Sequence, residues 1–247
     1  MATARSARVV SAESIGADTR LLELLAAEPL GFIGGQYVIV DSGLILESGK
    51  AVKRAYSLLS QDAEQRRFQI AVKRISGGLG SAFIHELGVG SDVRFSGPWG
   101  KLFPQNGARG STLVLATDTG ISAALGLVQS LRFAPLVAAT IFIWLRTSPG
   151  YFLPDAFVRE RVPQACTEVR IELIPAIGRP ERVPHARDVF RRVVAQRGLE
   201  QAFVSGDGAV NYALLGELVA AGVPATKDNV ESFFNMPKKS ASAAVGA

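Results

Sequence analysis

The chain has 247 residues, 48% of them hydrophobic and 20% charged, and its 27 Lys and Arg against 22 Asp and Glu give a net charge of +5. This hydrophobic share is that of an ordinary globular protein, and the small positive charge contains no basic run of the nucleic-acid-binding type. One cysteine and two histidines exclude an internal disulfide, a four-cysteine iron–sulfur cluster and a Cys/His zinc site, so no metal centre is expected.

The apolar segments are short for a membrane protein. The longest, 136–145, has about half the length that a membrane-spanning helix needs, and its β-branched and aromatic residues are typical of a buried strand. Residues 1–10 contain two arginines but lack the apolar stretch of a secretory signal. We therefore expect a cytoplasmic protein with no membrane span.

The first hundred residues contain short extended segments separated by glycine-rich turns. Strands are predicted at 19–26, 36–41, 52–59, 67–74 and 92–96, with one short helix at 81–87. Five or six short strands in about a hundred residues are typical of a small antiparallel barrel or sandwich.

From residue 112 onward, strands alternate with helices. Strands are predicted at 112–117, 138–145, 168–175 and 202–205, and helices at 120–133, 153–161, 185–197 and 208–220. This alternation indicates a doubly wound parallel sheet, whose ligands bind beyond the carboxyl ends of the strands. We predict a barrel domain at 1–104, a linker at 105–110, an α/β domain at 111–235 and a disordered tail at 236–247.

Three motifs in the barrel half have the residue types of a cofactor site. The first, Arg54-Ala55-Tyr56-Ser57, lies in the strand predicted at 52–59. The second, Gly97-Pro98-Trp99-Gly100, forms a tight turn after the strand predicted at 92–96. Residues 72–81 run from a strand through glycines into a short helix, where free N–H groups, with Ser81 as a cap, can hold a phosphate. Each motif alone also suits an exposed strand or a plain capped turn.

In this order the motifs resemble the ferredoxin–NADP reductase superfamily, and more narrowly the stand-alone reductase components of bacterial oxygenase systems, over about residues 5–235. The resemblance implies a six-stranded Greek-key β-barrel that binds FAD, followed by a doubly wound α/β domain that binds NAD(P)H. It implies a reductase in which hydride reaches the flavin and electrons leave singly. Their acceptor is then a small molecule or a separate protein such as a ferredoxin, a flavodoxin or an oxygenase component, because one cysteine cannot hold a fused iron–sulfur cluster.

The resemblance also assigns roles to individual residues. The resemblance implies that Tyr56 packs on the isoalloxazine ring and that Ser57 forms a hydrogen bond near flavin N5, the atom that accepts hydride. It implies that Arg54 holds a phosphate of the cofactor. Glu231, in the C-terminal segment, is the implied proton relay. The other implied flavin contacts are Val72, Lys73, Gly80, Ser81, Ala82, Thr119, Phe233 and Phe234. Tyr56, Ser57, Ser205 and Glu231 form the implied catalytic set.

The nucleotide half departs from the family pattern at two places. Relatives have Gly-Gly-Thr-Gly-Ile-Ala-Pro where this chain has Thr-Asp-Thr-Gly-Ile-Ser-Ala at 117–123, and Cys-Gly-Pro where it has Ser-Gly-Asp at 205–207. Carboxylates at Asp118 and Asp207 repel an anionic nucleotide unless they point away. The implied nucleotide contacts are Thr119, Gly120, Arg146, Thr147, Gly206 and Asp207, with Arg179 and Arg182 nearby. Neither NADH nor NADPH is singled out.

Two interpretations therefore stay open. One is a working NAD(P)H reductase that tolerates these changes; the other is an FAD-binding electron-transfer or regulatory subunit whose NAD(P) site is weak or lost and which another protein reduces. We expect most of the arginines at 179–197 on the solvated face of a helix. Alternatively, they form a docking patch for an acidic electron carrier.

Overall fold

The computed structural model describes residues 4–16, 18–226 and 228–236, so the predicted disordered tail lies outside the described residues except for Met236. Its first half is an antiparallel six-stranded sheet with the strand order β4-β3-β6-β1-β2-β5. The elements are β1 (Arg5–Ser14), β2 (Thr19–Ala26), β3 (Tyr37–Ile45), β4 (Ala51–Ser57), β5 (Arg67–Lys73), the helix α1 (Leu79–Glu86) and β6 (Asp92–Trp99). The sheet encloses its own core because alternate side chains of the strands point inward, as Phe68, Ile70 and Val72 do on β5.

The second half is a parallel five-stranded sheet with the order β11-β10-β7-β8-β9. Its strands are β7 (Thr112–Thr117), β8 (Thr140–Arg146), β9 (Glu168–Leu173), β10 (Gln201–Asp207) and β11 (Val230–Phe234), and its helices are α2 (Ile121–Val128), α3 (Asp155–Arg161), α4 (Arg182–Gln196) and α5 (Gly208–Ala220). Strand order reverses between β7 and β10, so a ligand crevice is expected beyond the carboxyl ends of these two strands.

The predicted fold class is confirmed, while several element boundaries differ. Strand β1 was not predicted, because its inward apolar side chains are only Ala7 and Val9 and the rest of the strand is polar or half-buried. Helix α2 ends at Val128 rather than 133. Helix α4 begins at Arg182 rather than 185, since a proline is tolerated in the first turn of a helix.

The two halves are held together at a tight contact beside α2. A Cβ built on Gly126 of α2 would overlap the carbonyl oxygen of Leu58, so only glycine lets the helix approach the barrel this closely. The buried carboxylate of Asp62 accepts hydrogen bonds from the N–H of Gly34 at 3.0 Å and from the N–H of Leu131 at 2.9 Å. This contact fixes the carboxyl end of α2 relative to the barrel.

Within the described residues, none of the helices combines the length and apolar character needed to cross a membrane. The same residues contain no group of three or more metal-ligating side chains. The domain boundaries at 104, 110 and 235 stay predictions; the two sheets themselves are separated by residues 100–111.

Candidate functional site

A cavity of about 500 Å³ lies between the barrel and the α/β half. The barrel contributes Arg54, Ala55, Tyr56, Ser57, Ala71, Val72, Lys73, Ile75, Gly78, Gly80 and Ser81, and the α/β half contributes Thr119, Ser122, Tyr151, Phe152, Ile177, Phe233 and Phe234. It opens at the carboxyl ends of the parallel strands, where the topology places a ligand. The structure therefore brings most of the predicted flavin contacts into one space.

Arg54 and Gly80 are packed against each other at one end of this cavity. A Cβ on Gly80 would lie 2.6 Å from Arg54 Cγ and 3.6 Å from the Tyr56 hydroxyl, so glycine leaves room for both side chains. The Arg54 side chain is exposed, and its Nη1 donates to the Lys53 carbonyl at 2.7 Å. Its remaining donors can reach a phosphate at the start of α1.

Tyr56 lines the cavity as a neutral aromatic wall. Burial raises its pKa to about 12, against a smaller opposing effect of the Arg54 charge. Ser57, the last residue of β4, lies beside it and is half-buried. The two residues therefore present an aromatic face and a hydroxyl to the same space.

Ser81 does not cap α1 as predicted. The helix is capped by Gly78, and the Ser81 hydroxyl, inside the first turn, donates to the Gly78 carbonyl at 2.9 Å and accepts from the Ile75 N–H at 3.0 Å. The N–H of Ala82 is also already bonded, to the Gly78 carbonyl at 2.9 Å. The N–H groups that precede the first intrahelical bond, including those of Gly80 and Ser81, are the ones left for a phosphate.

Val72 and Lys73 border the cavity on β5. The Val72 carbonyl lies 2.9 Å from His85 Nε2, which places this histidine in a structural contact. The Lys73 ammonium forms an ion pair with Asp18 and lies 4.8 Å from the centre of the Tyr151 ring. Lys73 thus joins the barrel to the loop that follows β8.

Glu231 lies on β11, next to Ser205 in the strand register. Burial raises the pKa of Glu231 to about 7, and its Oε2 is buried without a hydrogen-bond partner among the described residues. Its charge in turn helps to raise the pKa of Tyr37, after burial as the larger cause. Glu231 can therefore hold or release a proton near neutral pH. It does not line the cavity, unlike Phe233 and Phe234 on the same strand.

The predicted nucleotide side contains a buried network of charges. Arg182 Nε donates to Asp207 Oδ2 at 2.6 Å, Nη2 donates to Asp118, and Nη1 donates to the Pro175 carbonyl at 2.7 Å. Arg182 is 2% exposed, and both carboxylates are fully buried. Arg182, a candidate for reading the nucleotide in a run of arginines expected mostly on a solvated face, is instead buried and pairs with both carboxylates that depart from the family pattern.

Asp118 and Asp207 are further fixed by the backbone. Asp118 has a positive φ of 49°, and its carbonyl accepts the Trp144 indole N–H at 2.9 Å. Burial raises the pKa of Asp118 despite the opposing Arg182 charge. Asp207 is the N-cap of α5 and accepts the Ala209 N–H at 2.8 Å, so the expected nucleotide contact through this side chain is not available in this arrangement.

Arg146 is also engaged in an ion pair within the protein. It pairs with Asp155 through both terminal nitrogens, Nη2 at 3.0 Å from Oδ2, and its guanidinium lies 5.1 Å from the Trp144 ring centre. The side chain is 7% exposed, so it does not face a nucleotide freely as predicted. Thr147, at the next position, is half-buried, while Arg179 is exposed and remains accessible.

Gly120, just after β7, packs against Ser205 and Gly206 of the neighbouring parallel strand β10. The Ser205 hydroxyl donates to the Gly120 carbonyl at 3.0 Å and the residue is 2% exposed. A Cβ on Gly120 would overlap the Ser205 backbone, and Gly206 has a positive φ of 120°. The glycines bring the two strand ends together, and Ser205 lies beneath this surface, with Thr119 at the cavity wall.

Four residues that the α/β half contributes to the cavity were not predicted: Ser122, Tyr151, Phe152 and Ile177. Ser122 was visible only as a departure from the family's alanine, and its buried Oγ has no partner within the described ranges. The other three lie in loops after β8 and β9, where the sequence carries no repeating pattern. They meet the barrel only because the parallel sheet directs both loops toward it.

Comparisons with known proteins agree with this arrangement. Residues 6–103 match the family described as the oxidoreductase FAD-binding domain. A ferredoxin–NADP reductase B of Sorangium cellulosum is 30% identical over 216 residues, which are 85% of each chain. The chain therefore belongs to the ferredoxin–NADP reductase family; it is a flavoprotein oxidoreductase, and FAD is its cofactor, as predicted.

Other relatives share part of their length with this chain. The reductase component of a Pseudomonas phenol 2-monooxygenase is 31% identical over 111 residues, 44% of this chain and 30% of that protein. A solved ferredoxin reductase of carbazole 1,9a-dioxygenase has a TM-score of 0.75 at 18% identity, over 94% of this chain and 68% of that one. The latter similarity supports the two-domain fold.

Proposed function

We propose that this flavoprotein takes electrons from NAD(P)H and passes them to a separate electron-transfer protein, a ferredoxin, a flavodoxin or an oxygenase component. The observation that carries the proposal is the cavity shared by the two halves. Its barrel wall holds Arg54, Tyr56 and Ser57 together with Gly80 and Ser81, and its other wall is built from the ends of the parallel strands, where a nucleotide donor meets it. FAD, when bound, supplies hydride acceptance and release of single electrons.

The residues of the chain bind FAD, orient it in the cavity and supply a proton. Arg54 and the first N–H groups of α1 hold the phosphates, and the neutral Tyr56 ring keeps water from the cavity wall. Ser57 supplies a hydroxyl at the end of β4. Glu231, with its pKa raised to about 7 by burial, holds a proton below neutral pH and yields it above. Phe233 and Phe234, at the carboxyl end of β11, close the cavity on that side.

The proposal is tested by anaerobic titration of the yellow, FAD-loaded protein with NADH and with NADPH, followed by an added ferredoxin. We expect one nucleotide to bleach the visible flavin absorption within a turnover time and the ferredoxin to restore it. Absence of bleaching by both nucleotides, in protein that still photoreduces normally, would contradict the proposal.

A second candidate function is favoured by the Arg182 network. The two carboxylates and one guanidinium leave an excess negative charge at the ends of β7 and β10, and Arg146 is engaged by Asp155. A site with these properties binds an anionic nucleotide weakly. In this alternative the chain is an FAD-binding electron-transfer subunit that another protein reduces. Rapid flavin reduction by a protein donor, with none by either nucleotide, would select it.

A further inference from the structure

A second cavity, of about 370 Å³, lies between the two halves and shares no lining residue with the flavin cavity. Eight of its nine lining residues are polar or charged, and Phe68 is the ninth. The barrel contributes seven of them, on β2, on β5 and on the segment between β4 and β5, and the α/β half contributes Gln129 and Arg161. The residues expected to bind flavin or nucleotide do not line this cavity, so it is distinct from the site described above.

The charged groups on the barrel wall are held by bonds within that wall. The Glu23 carboxylate accepts from Arg67 Nη1 at 2.7 Å and from Gln69 Nε2 at 3.0 Å. Glu64 Oε1 accepts the backbone N–H two residues ahead at 2.9 Å. The Ser60 hydroxyl accepts the Gln69 N–H at 3.1 Å, and among the described residues its own hydrogen has no acceptor. The wall therefore offers a hydroxyl and a side-chain amide to a polar ligand.

Arg161, the last residue of α3, is the cation on the α/β wall. Its guanidinium carbon lies 3.5 Å from the centre of the Phe157 ring, and its Nη1 donates to the Phe157 carbonyl at 3.4 Å. It forms an ion pair with none of the carboxylates in the described part of the chain. Burial lowers the pKa of Arg161, and the charges of Glu160 and Glu13 offset this only partly. Because the ring covers one face of the guanidinium, the donors on its edge stay available to an anion.

The cavity adjoins the contact that joins the two halves. Gln129, on its α/β wall, donates from Nε2 to the Leu59 carbonyl of the barrel at 3.0 Å. Ser60, on its barrel wall, follows Leu59 directly and lies two positions before Asp62, whose carboxylate accepts the Leu131 N–H at 2.9 Å. A molecule bound here touches both halves at once, so its binding energy adds to the docking of one half on the other.

We propose that this cavity binds a small organic hydroxycarboxylate, and that the bound molecule strengthens the contact between the two halves. Arg161 pairs with the carboxylate, because the parallel donors of a guanidinium match its two oxygens. Ser60 and Gln69 bond to the remaining polar atoms of the ligand. The lining carries two arginines and two glutamates, a formal charge of 2 − 2 = 0, so a singly charged carboxylate fits better than a phosphate dianion.

The test titrates the full, FAD-loaded chain with sodium lactate, at an ionic strength held constant with sodium chloride, and follows binding by calorimetry. We expect saturable binding to the wild type with a dissociation constant on the order of 1 mM. Arg161→Gln should bind lactate about tenfold more weakly, the scale of one lost hydrogen bond to a charged group. Arg159→Gln removes the same charge from an exposed position of the same helix and should bind lactate as the wild type does.

A second variant separates the geometry of the guanidinium from its charge. Arg161→Lys keeps the positive charge and loses the fork of donors, so its affinity should lie between those of the wild type and Arg161→Gln. An unchanged FAD absorption spectrum shows that each variant is folded. The site is overturned by the absence of saturable binding to the wild type, by equal binding to Arg161→Gln, or by an equal loss in Arg159→Gln, which assigns the effect to net charge.

The strengthened contact has its own readout, which rests on the flavin site between the two halves. Two ligands that both favour the docked halves reinforce each other, so saturating lactate should tighten FAD binding to the wild type about fivefold and leave Arg161→Gln unchanged. Lactate binding without this gain overturns the coupling and leaves the site. A chain that binds lactate but no flavin contradicts the proposed function instead.

Discussion

Arg182 donates from Nε to Asp207 Oδ2 at 2.6 Å inside the protein, although Arg182 begins α4 and Asp207 ends β10. The same guanidinium reaches Asp118 at the end of β7. Three elements of the α/β half are thus joined by one buried cation at the strand ends where the sheet order reverses. Asp118 and Asp207, the two carboxylates expected to repel an anionic nucleotide, are thus the ion-pair partners of Arg182.

Removing Arg182 should strongly destabilise the protein. Arg182→Leu leaves Asp118 and Asp207 buried without their cation, and breaking such a pair from one side typically costs about 3–5 kcal/mol. We expect the free energy of unfolding in urea to fall by about 3 kcal/mol at neutral pH. Arg179→Leu, at the exposed arginine three residues earlier, is the matched control and should change it little. Similar small losses in both variants would show that the network contributes no stability.

Neutralising Asp118 should strengthen nucleotide binding. Asp118→Asn removes one negative charge, keeps a residue type that tolerates positive φ, and leaves Arg182 paired with Asp207 and the Pro175 carbonyl. We expect NAD(P)⁺ to bind about fivefold more tightly, corresponding to roughly 1 kcal/mol of relieved repulsion. The dissociation constant is measured by difference absorption of the bound flavin.

Asp188→Asn is the charge-matched control, because Asp188 is an exposed carboxylate of α4. An equal gain in both variants would trace the effect to net charge and count against repulsion at Asp118.

Gly80 offers a test of the phosphate end of the flavin cavity. Gly80→Ala places a Cβ 2.6 Å from Arg54 Cγ, so the arginine must move off the start of α1. We expect about tenfold weaker binding of both FAD and FMN, near 1.4 kcal/mol, since both carry the phosphate next to the ribityl chain. Gly88→Ala meets no atom within 4 Å and should leave flavin affinity unchanged. Unaltered affinity in Gly80→Ala would remove Arg54 from the site.

Glu231 should make stability depend on pH in an identifiable direction. Its folded pKa of about 7 lies above the ordinary glutamate value of 4.5, so the folded chain binds the proton more tightly than the unfolded chain. Stability from this group is therefore present at low pH and is lost as pH rises through about 7.

The neutral variant Glu231→Gln removes this loss. Relative to wild type, its free energy of unfolding should rise between pH 5 and pH 8 by roughly 2 kcal/mol, a value discounted for partial exposure of the side chain. Urea unfolding of the flavin-free protein across this range is the measurement, with Glu86→Gln as an exposed control. A flat difference would refute the raised pKa.

The barrel wall of the cavity was predictable from the sequence because its motifs are local, while the flavin contacts that the family resemblance assigns to it stay predictions. Arg54 to Ser57 occupy one strand end, and residues 72–81 form one strand–turn–helix unit, so short-range pattern determines their backbone. The Arg182 network was not predictable in this way, since its members lie 25 and 64 positions apart along the chain and meet only in the folded sheet. The sequence marked Asp118 and Asp207 as unusual without indicating their shared partner. Nothing in the sequence indicated that Tyr151 lines the cavity, because the neighbours of a loop residue depend on the whole topology.

Gly126 tests the contact that positions the α/β half on the barrel. In Gly126→Ala the new Cβ overlaps the Leu58 carbonyl, which is backbone and cannot rotate away, so α2 must shift from the barrel. We expect a loss of about 2 kcal/mol in unfolding free energy, the usual cost of overpacking, and weaker FAD binding because the cavity is built from both halves. Gly216→Ala is the same substitution in the exposed part of α5, where nothing lies within 4 Å. There it should stabilise the protein by about 0.5–1 kcal/mol through helix propensity. Effects of the same sign at both positions would show that close approach at Gly126 does not hold the two halves together.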